Sequence, residues 1–192
     1  MSKPQRLLEG AHYSLDIEAC GEVLVSLGAC AFDPETGDAG AEFYSVPSIQ
    51  EQIDAGLEMN GNTFRWWLSI PDAPRRAITA NGEQPVREML EAFRAFLPHD
   101  AWLWAYPTSF DLPIIAEVYR RFGVRCPWTW TKTLDARTLW QIARHVAPGI
   151  ERIEAENPAE HDALNDAKEQ AHWIAAYLSA IATAARRAEE VD

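Results

Sequence analysis

Tyr13-Ser14-Leu15-Asp16-Ile17-Glu18-Ala19-Cys20 sets two carboxylates two residues apart in a stretch that otherwise reads as a buried β-strand. Strand side chains alternate between faces, so Asp16 and Glu18 point the same way, with Cα atoms about 6.6 Å apart. Leu15, Ile17 and Ala19 point the other way, toward apolar packing. Two like charges side by side in a protein interior are costly unless a cation or a hydrogen-bond network neutralises them, and a hard divalent metal is the simplest remedy. An edge strand with one wet face would also accommodate the pair. The motif therefore acquires meaning only from further ligands elsewhere in the chain.

Beyond this stretch, Val23, Leu24, Val25, Leu27, Ala29 and Ala31 mark a second strand, and Asp33-Pro34-Glu35-Thr36-Gly37-Asp38 is a turn. A third strand is expected over Ala41 to Val46, which makes an antiparallel meander led by the acidic strand. Helices are then expected over 49–56, 62–69, 71–80 and 84–97. In the second of these, Phe64, Trp67 and Leu68 share one stripe, expected to face the core, and Trp66 lies on the opposite side. Trp66 reads either as a platform for a nucleobase or as packing against a neighbouring helix.

Ala101 to Ala105 is a short apolar strand, and Pro113 fixes the start of the following helix near Ser109 to Leu112. Asp111 falls on the helix face that meets the sheet, as a site carboxylate or as an N-cap. A short strand is expected within Trp128 to Thr133, with Asp135 capping the next helix. The last helix is expected from about His161 to Arg187, with Leu164, Ala167, Ala171, Ile174, Leu178 and Ile181 as its buried stripe. If both His161 and Asp166 were helical they would not converge. They converge if His161 lies in the loop just before the first turn.

Composition narrows the class. The chain has 192 residues with 47% hydrophobic content, eight Trp and seven Phe, which suits a single globular domain over residues 1–192 with a core of about 12–178. No apolar run is long enough for a membrane span, and Met1 to Arg6 leads into no signal-peptide core, so a cytoplasmic protein with no membrane partner is expected. Cys20, Cys30 and Cys126 are odd in number and irregular in spacing, as reduced thiols are. The net charge of -12 opposes extended tracking along nucleic acid, yet residues 61–152 hold 12 Lys and Arg against 9 Asp and Glu. Arg65, Arg120, Arg121, Lys132 and Arg137 are cations in that region that can meet phosphates, and no spacing selects among them.

An Asp-X-Glu strand, an Asp at a strand-to-helix junction and a late His-X4-Asp, in that order, resemble the DnaQ-like, or DEDD, superfamily of 3′-to-5′ exonucleases in its histidine-containing branch. The matching residues are Asp16 and Glu18, Asp111 in Ser-Phe-Asp, and His161 with Asp166 in His-Asp-Ala-Leu-Asn-Asp-Ala. Within it the chain is similar to the subgroup that includes the mycobacterial polyadenylate-specific exoribonuclease and exonuclease VIII-like proteins, through Ala-Phe-Asp-Pro-Glu-Thr-Gly, Trp66-Trp67-Leu68 and Asp135-Ala136-Arg137-Thr138-Leu139. The resemblance spans about residues 12–178. It departs at Tyr106-Pro107, where many relatives carry Gly and Asn.

The resemblance implies an α/β, RNase H-like fold: a five-stranded mixed sheet, three antiparallel strands then two parallel to the first, flanked by helices. It also implies that Asp16, Glu18, Asp111 and Asp166 hold two Mg²⁺ or Mn²⁺ ions about 3.5–4 Å apart, with His161 as general base. The backbone of Ala19 and Cys20 would meet the terminal nucleotide, and Trp66 and Phe110 are candidates for its base. The partner implied is the 3′ end of single-stranded nucleic acid, RNA somewhat before DNA, and the protein itself is expected as a homodimer. The alternatives are a catalytically weak or inactive nucleic-acid-binding module on the same fold, or an RNase H-type endonuclease.

Overall fold

The computed structural model describes residues 8–70, 82–148, 150 and 161–189. The helix expected over 71–80 and the polar loop that the sequence suggests through Glu154, Asn157 and Pro158 lie outside the described residues. Five strands form one sheet: β1 (His12–Cys20), β2 (Val23–Phe32), β3 (Ala39–Ser45), β4 (Trp102–Ala105) and β5 (Thr133–Asp135), in the order β3-β2-β1-β4-β5. β1 pairs antiparallel with β2 and β2 antiparallel with β3, while β4 runs parallel to β1 and β5 parallel to β4. This is the RNase H-like arrangement. The antiparallel pairs need only tight turns, and the parallel ones need the intervening helices as crossovers.

The helices are α1 (Ile49–Asp54), α2 (Gly61–Ser69), α3 (Val86–Phe96), α4 (Thr108–Arg121), α5 (Ala136–Val146) and α6 (Ala163–Glu189). Leu15, Ile17 and Ala19 share the main core with Met89, Leu90 and Phe93 of α3 and Leu112, Ile115 and Val118 of α4. On the other face Cys30, Phe32 and Trp104 pack on Ala136, Ala171 and Ile174 of α5 and α6. The alternation of β1 thus sends its apolar residues to α3 and α4 and its carboxylates toward α6. Cys20, Cys30 and Cys126 are free thiols. Among the described residues no helix is long and apolar enough to cross a membrane.

Two local expectations are corrected. On α2 only Trp67 is buried, whereas Phe64 and Leu68 are 48% and 59% exposed. Trp67 is the residue of this short helix that reaches the sheet, where its indole N–H donates to the Ala19 carbonyl at 3.2 Å. Trp128 to Thr133 contains no strand before Thr133: Trp130–Lys132 is a 3₁₀ turn, closed by Thr133 Oγ1 donating to the Trp130 carbonyl at 2.9 Å. The strand is short because β5 finds partners on β4 only from Leu103 to Ala105.

Candidate active site

The site forms at the end of β1, where the ladder shifts register between Glu18 and Ala19. Such a bulge re-aims the residues beside it. Asp16 is half-buried and Glu18 is buried. Burial first, and then the neighbouring carboxyls of Asp111, Glu18 and Asp166, push Asp16 well above the ordinary carboxylate range. Burial together with Asp166, Asp111 and Asp162 raises Glu18 to about 8. Sequence-distant acids have therefore been folded into mutual repulsion.

Asp111 lies in the first turn of α4, which begins at Thr108, so it is not the cap residue. It is 2% exposed, and its Oδ2 has no hydrogen-bond partner among the described residues. Burial raises its pKa to about 7 even though the backbone amides of Asp111 itself and of Ile17 favour the charged form. The capping role belongs to Asp135. One of its oxygens accepts from the Thr138 N–H at 2.7 Å at the start of α5, and the other accepts from the Thr108 N–H at 2.9 Å at the start of α4. Asp135 was readable as a cap for α5; its second duty to α4 was not, because that contact joins residues 27 apart.

Asp166 lies in the first turn of α6, and His161 immediately precedes the helix, as the convergence argument requires. The His161 backbone has φ 68° and its N–H donates to Asp166 Oδ2 at 3.0 Å. Its Nδ1 lies 3.8 Å from Glu18 Oε1, and its ring meets the Trp66 indole edge to face at 4.8 Å between centroids. Asp162 is the N-cap, accepting from the Asn165 N–H at 3.1 Å. Its spacing to Asn165 was a legible signal that the sequence reading missed.

Two further residues set α6 against the sheet. Gly28, the cross-strand partner of Asp16, lies beneath the Ala163–Leu164 peptide. Buried Gln170, one turn after Asp166, donates to Ser14 Oγ at 2.7 Å and to the Leu15 carbonyl at 3.1 Å.

Glu18, His161 and Asp166 each offer a ligand atom, all within 4.8 Å of one another. Clustered hard oxygen donors, raised carboxyl pKa values and an unpartnered buried carboxylate oxygen together fit a divalent cation of the Mg²⁺ or Mn²⁺ type. Trp66 and Phe110 stand at 41% and 49% exposure. Ala19 and Cys20 are buried, with the Ala19 carbonyl taken by Trp67 and the Cys20 thiol directed to the Asn60 carbonyl. Among the basic candidates, Arg120 and Arg121 pair with Glu117 while Lys132 and Arg137 sit over the rings of Trp102 and Tyr106.

A family model described as the Rv2179c-like 3′-5′ exoribonuclease domain matches residues 11–178. The fold is similar to that of E. coli exonuclease I in a zinc-bound complex with single-stranded DNA, with a TM-score of 0.58 at 14% identity over 88% of this chain and 39% of that one. It is also similar to exonuclease I of Methylocaldum szegediense, with a TM-score of 0.53 at 11% identity over 88% of this chain and 40% of that one. The chain therefore spans about two fifths of the length of these solved structures. A search of curated proteins returned no match.

Proposed function

We infer the reaction from one premise: this chain belongs to the family of Rv2179c-like 3′-5′ exoribonuclease domains, and its fold is that of the DnaQ-like exonucleases. The reading is of one metal-dependent exonuclease domain over the whole chain. It hydrolyses the phosphodiester at the 3′ end of single-stranded RNA or DNA and releases nucleoside 5′-monophosphates. The family description favours RNA, and the exonuclease I complex offers single-stranded DNA as the alternative substrate by analogy.

The observation that carries this reading is the convergence of Asp16, Glu18, Asp111, His161 and Asp166 from three separate segments of the chain at one end of β1. Asp16, Glu18, Asp111 and Asp166 would hold two Mg²⁺ or Mn²⁺ ions. These, when bound, supply charge neutralisation at the scissile phosphate and acidify water. His161, 39% exposed beside Glu18, would take the proton from the attacking water. The water oxygen bonds to phosphorus as the bond to the 3′-oxygen of the preceding nucleotide breaks, that oxygen takes a proton from solvent to become the new 3′-hydroxyl, and the phosphate leaves on the released nucleotide. The exposed rings of Trp66 and Phe110 offer surfaces for the terminal bases, and the backbone of Ala19 and Cys20 would meet the terminal nucleotide. The reading is of a homodimeric cytoplasmic enzyme, with the exposed Trp130 as a candidate interface residue.

The test is incubation with matched 5′-labelled RNA and DNA single strands in Mg²⁺ and then Mn²⁺, with products identified by mass. A ladder shortening from the 3′ end with release of 5′-monophosphates, abolished in a folded Asp16→Ala variant, is expected. Internal cuts, or strand binding with no nucleotide release, would refute it.

A further inference from the structure

We propose that Trp66 is a positioning residue for His161, which deepens the preceding reading and rests on it for the role given to the imidazole. Among the described residues no hydrogen bond to the His161 imidazole fixes its ring. The residue adopts φ 68°, a left-handed conformation uncommon outside glycine, and its backbone N–H holds the main chain to Asp166. The 3.8 Å between Nδ1 and Glu18 Oε1 is beyond hydrogen-bond reach. The orientation of the imidazole therefore falls to packing. Among the described residues the ring packed against it is Trp66, at 4.8 Å and 86° between planes. This is the edge-to-face arrangement that aromatic pairs prefer.

Trp66 is itself delivered by a rigid path from β1. Gly21, at φ 71°, lies so close to the segment before α2 that a Cβ would come 2.7 Å from the Glu58 carbonyl oxygen and the Asn60 nitrogen. The Glu22 N–H donates to that same Glu58 carbonyl at 2.9 Å. Asn60 then caps α2, accepting from the N–H groups of Asn62 and Thr63 at 2.9 and 3.1 Å. Trp67 ties the helix back to Ala19, and its ring meets Trp66 edge-on at 5.4 Å. The strand that carries Glu18 thus also places the indole against the imidazole, and the two are held in one frame. This accounts for an aromatic on α2 outside the stripe of Phe64, Trp67 and Leu68, and it leaves part of the indole surface open to substrate.

The test compares Trp66→Ala, Trp66→Phe, His161→Ala and the double variant Trp66→Ala/His161→Ala in steady-state cleavage of one oligonucleotide. Circular dichroism confirms folding, and Trp66→Leu replaces Trp66→Ala if the latter does not fold. Trp66→Ala should lower kcat by about 10- to 100-fold, the scale on which misplacing a reacting group acts. Trp66→Phe should recover most of the loss, and Trp66→Ala should add nothing to His161→Ala. A second readout needs no activity: in the metal-free protein, nuclear Overhauser contacts between the His161 imidazole and the Glu18 side chain should be lost in Trp66→Ala and kept in Trp66→Phe. A rise in KM with kcat unchanged, additivity with His161→Ala, or His161–Glu18 contacts that persist in Trp66→Ala would overturn the proposal. A fully active His161→Ala enzyme would instead remove the proton-accepting role, and the His161–Glu18 contacts alone would then decide whether Trp66 sets the ring.

Discussion

Gly28 of β2 lies directly under Ala163 at the start of α6: a Cβ built on the glycine would fall 2.2 Å from the Ala163 carbonyl carbon. Because Gly28 pairs across the ladder with Asp16, the absent side chain is what lets α6 descend beside that carboxylate and bring Asp166 with it. In Gly28→Ala the obstacle is backbone, so the helix start must lift. Overpacking of this kind costs about 1–3 kcal/mol. Nucleotide release should fall by about 100-fold even under conditions where the variant is fully folded, since small displacements of reacting groups are expensive. Urea denaturation measures the first effect and single-turnover cleavage the second. Normal cleavage by a folded variant would show that this close approach is not what assembles the site.

Gln170 controls the same helix by attraction. Its amide donates to both Ser14 and Leu15, and Asp166 sits one turn before it. Gln170→Leu keeps the approximate volume but removes the donors from a buried hydroxyl and carbonyl, a loss of about 1–3 kcal/mol. Chemical denaturation should show that loss, and cleavage at saturating substrate should weaken as Asp166 loses its register. A variant as stable and as active as the parent would mean that hydrophobic packing of Ala167, Ala171 and Ile174 alone seats α6.

What the sequence made legible was periodic, and what it hid was contact between distant segments. The alternation across Leu15, Asp16, Ile17, Glu18 and Ala19 fixed which way the acids face, and Pro113 fixed the start of α4 to within a residue or two. Helix geometry set the condition that His161 and Asp166 converge only if His161 lies outside α6, and it does. Gly28 and Gln170 carried no local signal, because their importance comes from partners more than 100 residues away. The stripe reading of α2 failed at Phe64 and Leu68 for a related reason: helical period shows which residues share a face, but the docking of the helix decides how much of that face is covered.

Asp135 links two helix starts, and its removal should reveal both. Burial works against its charge, but the amide and hydroxyl hydrogen bonds from Thr138 and Thr108 prevail and hold its pKa below the usual carboxylate range. A depressed carboxyl contributes stability that is fully present above its unfolded pKa and is lost as pH falls through the folded value. Asp135→Ala should therefore cost about 1–2 kcal/mol at neutral pH, the scale of a lost cap. The gap to the parent should close in acid. A gap that does not change between neutral and acid pH would show that the carboxylate charge plays no part in holding α4 and α5.

The carboxylate cup should have the opposite pH signature. Asp16, Glu18 and Asp111 all bind their protons more tightly in the folded chain, with Glu18 raised to about 8 and Asp111 to about 7, chiefly because burial disfavours the charged form. Their folded-state preference for the proton favours the native state below the unfolded carboxylate pKa of about 4, and the advantage is lost as pH rises through the folded values. In EDTA the midpoint of thermal unfolding should therefore drop between about pH 5 and about pH 8.5. A divalent ion replaces the missing protons as the neutralising charge, so the gain from Mn²⁺ should grow over the same range. At about 100 times its Kd, an ion binding only the folded state contributes about 2.7 kcal/mol, or about 5–10 °C for a chain of this size. Asp16→Asn removes one of the repelling charges. It should unfold at a higher temperature than the parent in EDTA at alkaline pH, respond less to Mn²⁺, and release no nucleotide. Equal midpoints for the parent protein in EDTA and in excess Mn²⁺ across the whole pH range would mean that the acids are not held against their own repulsion, and that a cation is not what reconciles them.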